Sequence, residues 1–97
     1  MGEKKLGASR RLNKTNIERA PNRTGIYVIK SDRGVTQYVG RSQNLKARLS
    51  QHHSKKSIPN ASTFQTRTVR SVRKVEALES EYIRRYKPKY NILKNKK

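Results

Sequence analysis

The sequence predicts a small α/β (α+β) domain built on a three-stranded, mostly antiparallel sheet flanked by helices. Three observations predict it. Thr24 to Lys30 is rich in β-branched and aromatic residues and, after the turn-forming Asp32-Arg33-Gly34, a second such run extends from Val35 to Gly40. Two later stretches, around Leu45 and around Leu78, space their apolar residues at helical intervals. Between them Thr63 to Ser71 places Thr, Phe and Val at strand-favouring positions. A chain of 97 residues holds one domain with a modest core, because so short a chain buries a smaller share of its surface than a longer one.

From Met1 to about Lys14 the only sizeable apolar residues are Leu6 and Leu12, set among Lys4, Lys5, Arg10, Arg11 and Lys14. This predicts a basic arm over residues 1–20, mobile or partly helical, in which Thr15 caps a single helical turn stopped by Pro21. The domain proper is expected over residues 21–93, with a basic tail at residues 94–97. Thr24 to Gly40 reads as a β-hairpin. Its tyrosines, Tyr27 and Tyr38, share a sheet face if the connection is a two-residue loop and fall on opposite faces if Gly34 adds a third residue, so their parity stays open. Ser42 offers an N-cap for a helix reaching about His53, with Leu45 and Leu49 four residues apart. Pro59 to Ser62 marks a loop before the third strand. A last helix is expected from about Arg73 to Tyr86, where at roughly 100° per residue Val75, Leu78, Tyr82, Ile83 and Tyr86 gather on one stripe.

Charge narrows the function. Lys and Arg number 25 against six acids, a formal charge of +19 that calls for a polyanionic partner, and nucleic acid is the natural one. No apolar run approaches the roughly 20 residues of a membrane span. The absence of cysteine removes disulfides, zinc-thiolate sites and thiol catalysis together. No signal peptide is evident, so an intracellular location is expected.

Two placements conflict with simple core packing. Glu79 lies inside the apolar stripe of the last helix, whereas Glu76 falls at its edge and Glu81 opposite. A carboxylate aimed at a core is costly to desolvate, so it needs a partner from another element, either an arginine in a structural ion pair or a metal ion. On the preceding helix Arg48 and His52, spaced i, i+4, flank the side carrying Leu45 and Leu49. Each taken alone reads as a snorkelling or core-edge residue; together they can reach a shared site.

Gly25-Ile26-Tyr27 and Tyr38-Val39-Gly40 on the two hairpin strands, followed by Arg48, Glu79 and Asn91, resemble the GIY-YIG nuclease family in motif and order. The resemblance covers about Pro21 to Leu93. It is strongest to the amino-terminal incision module of the bacterial nucleotide-excision-repair nuclease, carried by Gly40 to Leu49 after the hairpin and by Glu76-Ala77-Leu78-Glu79 and Tyr86-Lys87-Pro88-Lys89-Tyr90-Asn91 near the end. It implies the GIY-YIG fold and a hydrolytic endonuclease. Glu79 would hold one divalent ion, Mg2+ or Mn2+, whose open positions take water and a phosphate oxygen. Arg48 would clamp the scissile phosphate. Tyr27 would take a proton from the attacking water while Tyr38 orients water or phosphate, although the family leaves this division open. His52 would assist proton transfer and Asn91 brace the site wall. An unperturbed phenol is only about 0.1% ionised at pH 7, so the rate is expected to rise toward alkaline pH. Arg41, Lys46, Arg48, Lys87 and Lys89 are the expected nucleic-acid contacts.

The chain departs from the family pattern in places. Val39 replaces isoleucine, a conservative change in a strand. Arg41 stands where the repair nuclease has lysine, which keeps a phosphate contact but disfavours a proton acceptor. His52 occupies a position that is tyrosine in the repair module and histidine in some homing nucleases. The chain is also shorter between His53 and Thr63, which suggests a reduced helix and an altered substrate choice. The expected substrate is DNA, single-stranded, nicked, flapped or branched, chosen by structure or strand rather than by a long site. The expected setting is the cytoplasm of a bacterium or phage-infected cell, with a recruiting protein as a further partner and the oligomeric state open. The competing expectation is a catalytically inactive or partner-recruited nucleic-acid-binding protein.

Overall fold

The computed structural model describes residues 5–90. The elements in chain order are β1 (Arg10–Arg11), α1 (Lys14–Glu18), β2 (Gly25–Lys30), β3 (Thr36–Ser42), α2 (Leu45–Lys55), β4 (Thr63–Thr68) and α3 (Val72–Tyr86). All strand pairings are antiparallel, in the spatial order β1-β4-β2-β3. The three expected strands are present, and a fourth, β1, comes from the segment read as a basic arm. It docks because β4 otherwise presents an open edge of unpaired peptide groups. Gly7 N–H donates to Thr66 O at 2.9 Å and Leu12 N–H to Ser62 O at 2.8 Å, while Leu6 and Leu12, the two apolar residues of the arm, pack against the two halves of the core.

Helix starts differ from expectation by the residue that actually turns the chain. Asn13 caps α1 in place of Thr15, its side chain accepting from Asn16 N–H at 2.9 Å. Asn44 caps α2 in place of Ser42, accepting from Ala47 N–H at 3.0 Å. Ser42 instead bridges the strand-to-helix corner, its hydroxyl accepting from Asn44 N–H at 3.0 Å and donating to Asn44 O at 2.9 Å. Ser71, read as the end of a strand, is the N-cap of α3, so β4 stops at Thr68.

Alternation along the strands divides the core in two. Tyr27, Ile29, Tyr38 and Phe64 face α1 and α2, where they meet Ile17, Leu45, Leu49 and Ile58. Ile26, Val28, Val39 and Val69 face α3, where they meet Val75 and Tyr82. Helices on both faces explain why β2 is almost uniformly apolar and buried. Tyr86 is the exception on the α3 stripe: it is exposed, packing on Tyr82 with ring centroids 5.8 Å apart.

Candidate active site

The hairpin register decides which side chains meet. Tyr27 pairs with Gly40 and Ile29 with Tyr38, but Lys30 pairs with Thr36, so β3 bulges near the turn. Ser31 organises the connection, its hydroxyl accepting from Val35 N–H at 3.2 Å, with Gly34 at φ 81°. The bulge restores the parity a two-residue loop would have had. Tyr27 and Tyr38 therefore share the α2 face, ring centroids 6.0 Å apart.

Two glycines make this packing possible. The hydroxyl end of the Tyr27 ring lies over Gly40, where a Cβ would collide with Cζ and Oη and come within 2.9 Å of Cε2. At Gly25 a Cβ would strike the Arg67 carbonyl and lie 2.8 Å from Leu45 Cδ1. Each motif glycine admits a neighbour that a side chain would expel.

From α2, His52 reaches down to this pair. Its Nε2 lies 2.7 Å from the Tyr27 hydroxyl and its ring centroid 5.4 Å from both tyrosine rings. On the other side Nδ1 is 2.6 Å from Ser57 Oγ. Arg48, one turn earlier on the same helix, sets its guanidinium against the Tyr27 hydroxyl and donates to Gln51 Oε1 at 3.0 Å. Burial pushes the Tyr27 phenol well above its ordinary value, opposed only in part by the Arg48 hydrogen bond. The same contact with Tyr27 holds Arg48 more firmly protonated. A cavity of about 460 Å³ opens beside this cluster, lined by Tyr38, Arg48, Gln51, His52, Ile58 and Tyr90 among others.

Glu79 belongs to the opposite side of β3. Tyr38 and Gly40 face α2, and the intervening register turns Arg41 toward α3. There Arg41 Nη1 meets Glu76 Oε2 at 2.8 Å and Arg41 Nε meets Glu79 Oε1 at 3.5 Å. Glu79 is the more enclosed carboxylate, its side chain 22% exposed against 57% for Glu76. One of the two partners expected for Glu79, an arginine of another element, thus exists, although Glu76 takes the closer contact.

Of the residues expected at the site, Tyr27, Tyr38, Arg48 and His52 form one contiguous cluster. Glu79 and Arg41 form a second, across the same strand. Lys46 lines a separate concavity with Lys14 and His53, and Lys87 and Lys89 are exposed beyond α3. Asn91 and the basic tail lie outside the described residues. Sequence reasoning missed Ser57, which no motif marks. Lys56, the C-cap of α2, takes a left-handed conformation at φ 49° and turns the chain so that Ser57 folds back on His52.

The family model described as the UvrC-like GIY-YIG domain matches residues 23–92. The chain belongs to this family. Similar proteins include the UvrABC system protein C of Methanococcus maripaludis, 37% identical over 85 residues that cover 79% of this chain and 16% of that protein. The UvrABC system protein C of Methanospirillum hungatei is 38% identical over 80 residues, covering 74% of this chain and 15% of that protein. The chain therefore corresponds to a small part of these relatives. Among solved structures, the GIY-YIG N-terminal endonuclease domain of UvrC from Thermotoga maritima, bound to its catalytic divalent cation, magnesium, superposes with a TM-score of 0.63 at 28% identity. That match covers 80% of this chain and 98% of the other. In this GIY-YIG domain, then, Gly40 makes room for the hydroxyl end of Tyr27, and Gly25 for the Arg67 carbonyl and Leu45.

Proposed function

We propose that this GIY-YIG domain is a divalent-metal-dependent endonuclease that hydrolyses DNA phosphodiester bonds. One observation carries the reading: a buried Tyr27–His52 hydrogen bond with Arg48 against it, on one side of β3, and the enclosed carboxylate Glu79 on the other side. The donor chemistry of Glu79 fits one hard cation. It offers carboxylate oxygen, it is partly open to solvent, and Glu76 remains to hold Arg41 when Glu79 is engaged. A single carboxylate as ligand would leave a cation's other positions for water and phosphate oxygen. When bound, Mg2+ or Mn2+ would supply Lewis-acid stabilisation of the charge that builds on the phosphate.

The remaining chemistry belongs to side chains. Arg48 orients the scissile phosphate and meets its developing charge, a task suited to a guanidinium that stays protonated. Tyr27 accepts a proton from the attacking water and passes one to His52, while Tyr38 walls the cavity and orients what enters it. The basic surface holds the DNA backbone without reading bases, so affinity falls with salt and selection acts on structure or strand rather than on a long site. The relatives are parts of a multi-protein system by name and are several times longer than this chain, which supports recruitment by a partner as the second reading.

The test is cleavage of labelled single-stranded, duplex, flap and branched DNA at low salt by wild type and Glu79→Ala, with Mg2+, Mn2+ or EDTA. The expected result is cleavage that both EDTA and Glu79→Ala abolish while DNA binding persists. Binding without cleavage under every condition sinks the free-standing enzyme and leaves the recruited reading.

A further inference from the structure

Arg48, Tyr27, His52 and Ser57 form one chain of polar contacts whose direction can be worked out from donor chemistry. Arginine only donates, so its guanidinium on the Tyr27 hydroxyl occupies an oxygen lone pair. A phenol O–H is the more acidic donor of the pair, so the Tyr27 proton is assigned toward His52 Nε2, 2.7 Å away, which then presents a lone pair. In a neutral imidazole that leaves the proton on Nδ1, and Ser57 Oγ at 2.6 Å accepts it. The end of α2 delivers Ser57 to that place: Lys56 N–H and Ser57 N–H both donate to His52 O as the chain turns through the left-handed Lys56.

We propose that Ser57 is a positioning residue that holds His52 in the Nδ1–H tautomer, so that His52 receives the Tyr27 proton while Tyr27 receives one from the attacking water. The proposal rests on the nuclease reading given above. A water O–H bond breaks toward Tyr27 Oη as the Tyr27 O–H bond breaks toward His52 Nε2. The water oxygen forms its bond to phosphorus and the leaving oxygen departs, taking a proton from solvent. The imidazolium then returns its proton to solvent, and the balance closes. Such a relay suits a buried phenol, because no standing phenolate has to form in a site that disfavours one. Among the described residues, the Tyr27 and Tyr38 rings pack on His52, and Arg48, Gln51, Lys55, Ser57 and Tyr90 line the cavity beside it.

Nitrogen-15 spectra of the His52 ring and pH profiles of cleavage, for wild type, Ser57→Ala and Ser57→Thr, test this. Wild type should show the Nδ1–H tautomer, and its rate should follow the deprotonation of His52 seen in the same spectra and then level off. Ser57→Ala should lose the tautomer preference and about 10-fold in kcat with KM for DNA unchanged, and Ser57→Thr should restore both. An Nε2–H tautomer in wild type, or an unaltered tautomer and rate in Ser57→Ala, overturns the proposal. If wild type cuts nothing, the nuclease reading fails on its own, and the spectra still decide what Ser57 does.

A second site lies where β1 docks. Arg10, on the Phe64 face of the β1–β4 pair, joins Arg19 and Arg23 around a cavity of about 430 Å³ with Asn16, Thr66 and Thr68. Among the described residues no carboxylate lines it and none of the three guanidiniums has an ion-pair partner. Three exposed guanidiniums around one polar hollow focus positive potential there and attract an anion. We infer that this groove binds the phosphate backbone of the DNA away from the reacting phosphate, a reading that rests on DNA as the partner. Replacing all three by Gln should lower the log–log salt slope of DNA binding by about 2 to 3. An equal charge change at Arg73, Lys74 and Arg84, exposed on α3 across the sheet, should lower it by less than about 1. Equal slopes for the two triple variants, each shown folded by circular dichroism, overturn the assignment.

Discussion

Replacing Gly40 with alanine should uncouple the Tyr27 hydroxyl from His52. The added Cβ would collide with Tyr27 Cζ and Oη and approach Cε2 to 2.9 Å, and Tyr27 is fully enclosed at 1% exposure. The collision is with the hydroxyl end of the ring, but Cζ and Oη both lie too close for a shift of a few tenths of an ångström to relieve, and that end is held by His52. Overpacking of this kind costs about 1–3 kcal/mol, and loss of the 2.7 Å Tyr27–His52 hydrogen bond adds about 0.5–1.5 kcal/mol. Gly40→Ala should therefore destabilise the domain by about 2–4 kcal/mol in urea unfolding. In a Tyr27→Leu background, where the colliding atoms are gone, the same substitution should cost nothing or gain about 0.5–1 kcal/mol, since alanine suits a strand interior better than glycine. The double-mutant cycle isolates the contact. A cost below about 0.5 kcal/mol in the wild-type background, or an equal cost in both, would refute the steric account of this glycine.

Further outcomes follow from the same geometry. The raised Tyr27 pKa means that above pH ~10 the unfolded chain releases this proton while the folded one retains it, so stability falls as pH rises, by up to about 1.4 kcal/mol per pH unit. Urea midpoints between pH 9 and 11 should show that slope in wild type and a shallower one in Tyr27→Phe. Lys56→Gly should stabilise by about 0.5–1 kcal/mol by relieving a left-handed non-glycine cap, whereas Lys55→Gly, one residue inside α2, should destabilise by about 1 kcal/mol; thermal melts separate the two signs. Gly25→Ala should be less well tolerated than any other substitution of that size on the hairpin, because its Cβ meets the Arg67 backbone carbonyl, which cannot rotate away; a melt within 2 °C of wild type would count against the β2–β4 register described here.

What could be read from the chain was whatever local rules govern. The β-branched run of β2, the polar turn after it, the four-residue spacing of Leu45 and Leu49 and the stripe through Val75 and Tyr82 each lie within a few residues, so period and propensity located them. The caps read at Thr15 and Ser42 were near misses for Asn13 and Asn44, and Ser71, read as the end of a strand, caps α3. Several polar residues competed for each corner, and only the path of the backbone chooses among them. Glu79 was legible as an anomaly because a carboxylate on an apolar stripe conflicts with burial, yet its partner was not, since Arg41 is brought to it by strand pairing and helix packing.

By itself, then, the sequence determined the hairpin, the two long helices, the basic character of the surface and the identity of the motif residues, because each depends on composition or on spacing along one element. The tertiary structure alone decided that the arm closes the β4 edge, that a bulge sets Tyr27 and Tyr38 on one face, that Arg41 lies between Glu76 and Glu79, and that Ser57 backs His52. Most of these depend on residues brought together from far apart in the chain, 25 positions for Tyr27 and His52. Others depend on a single change of register or one left-handed residue that reverses which side chain meets which. Local periodicity carries no information about either, because the free energy that selects them is that of packing the two sheet faces at once.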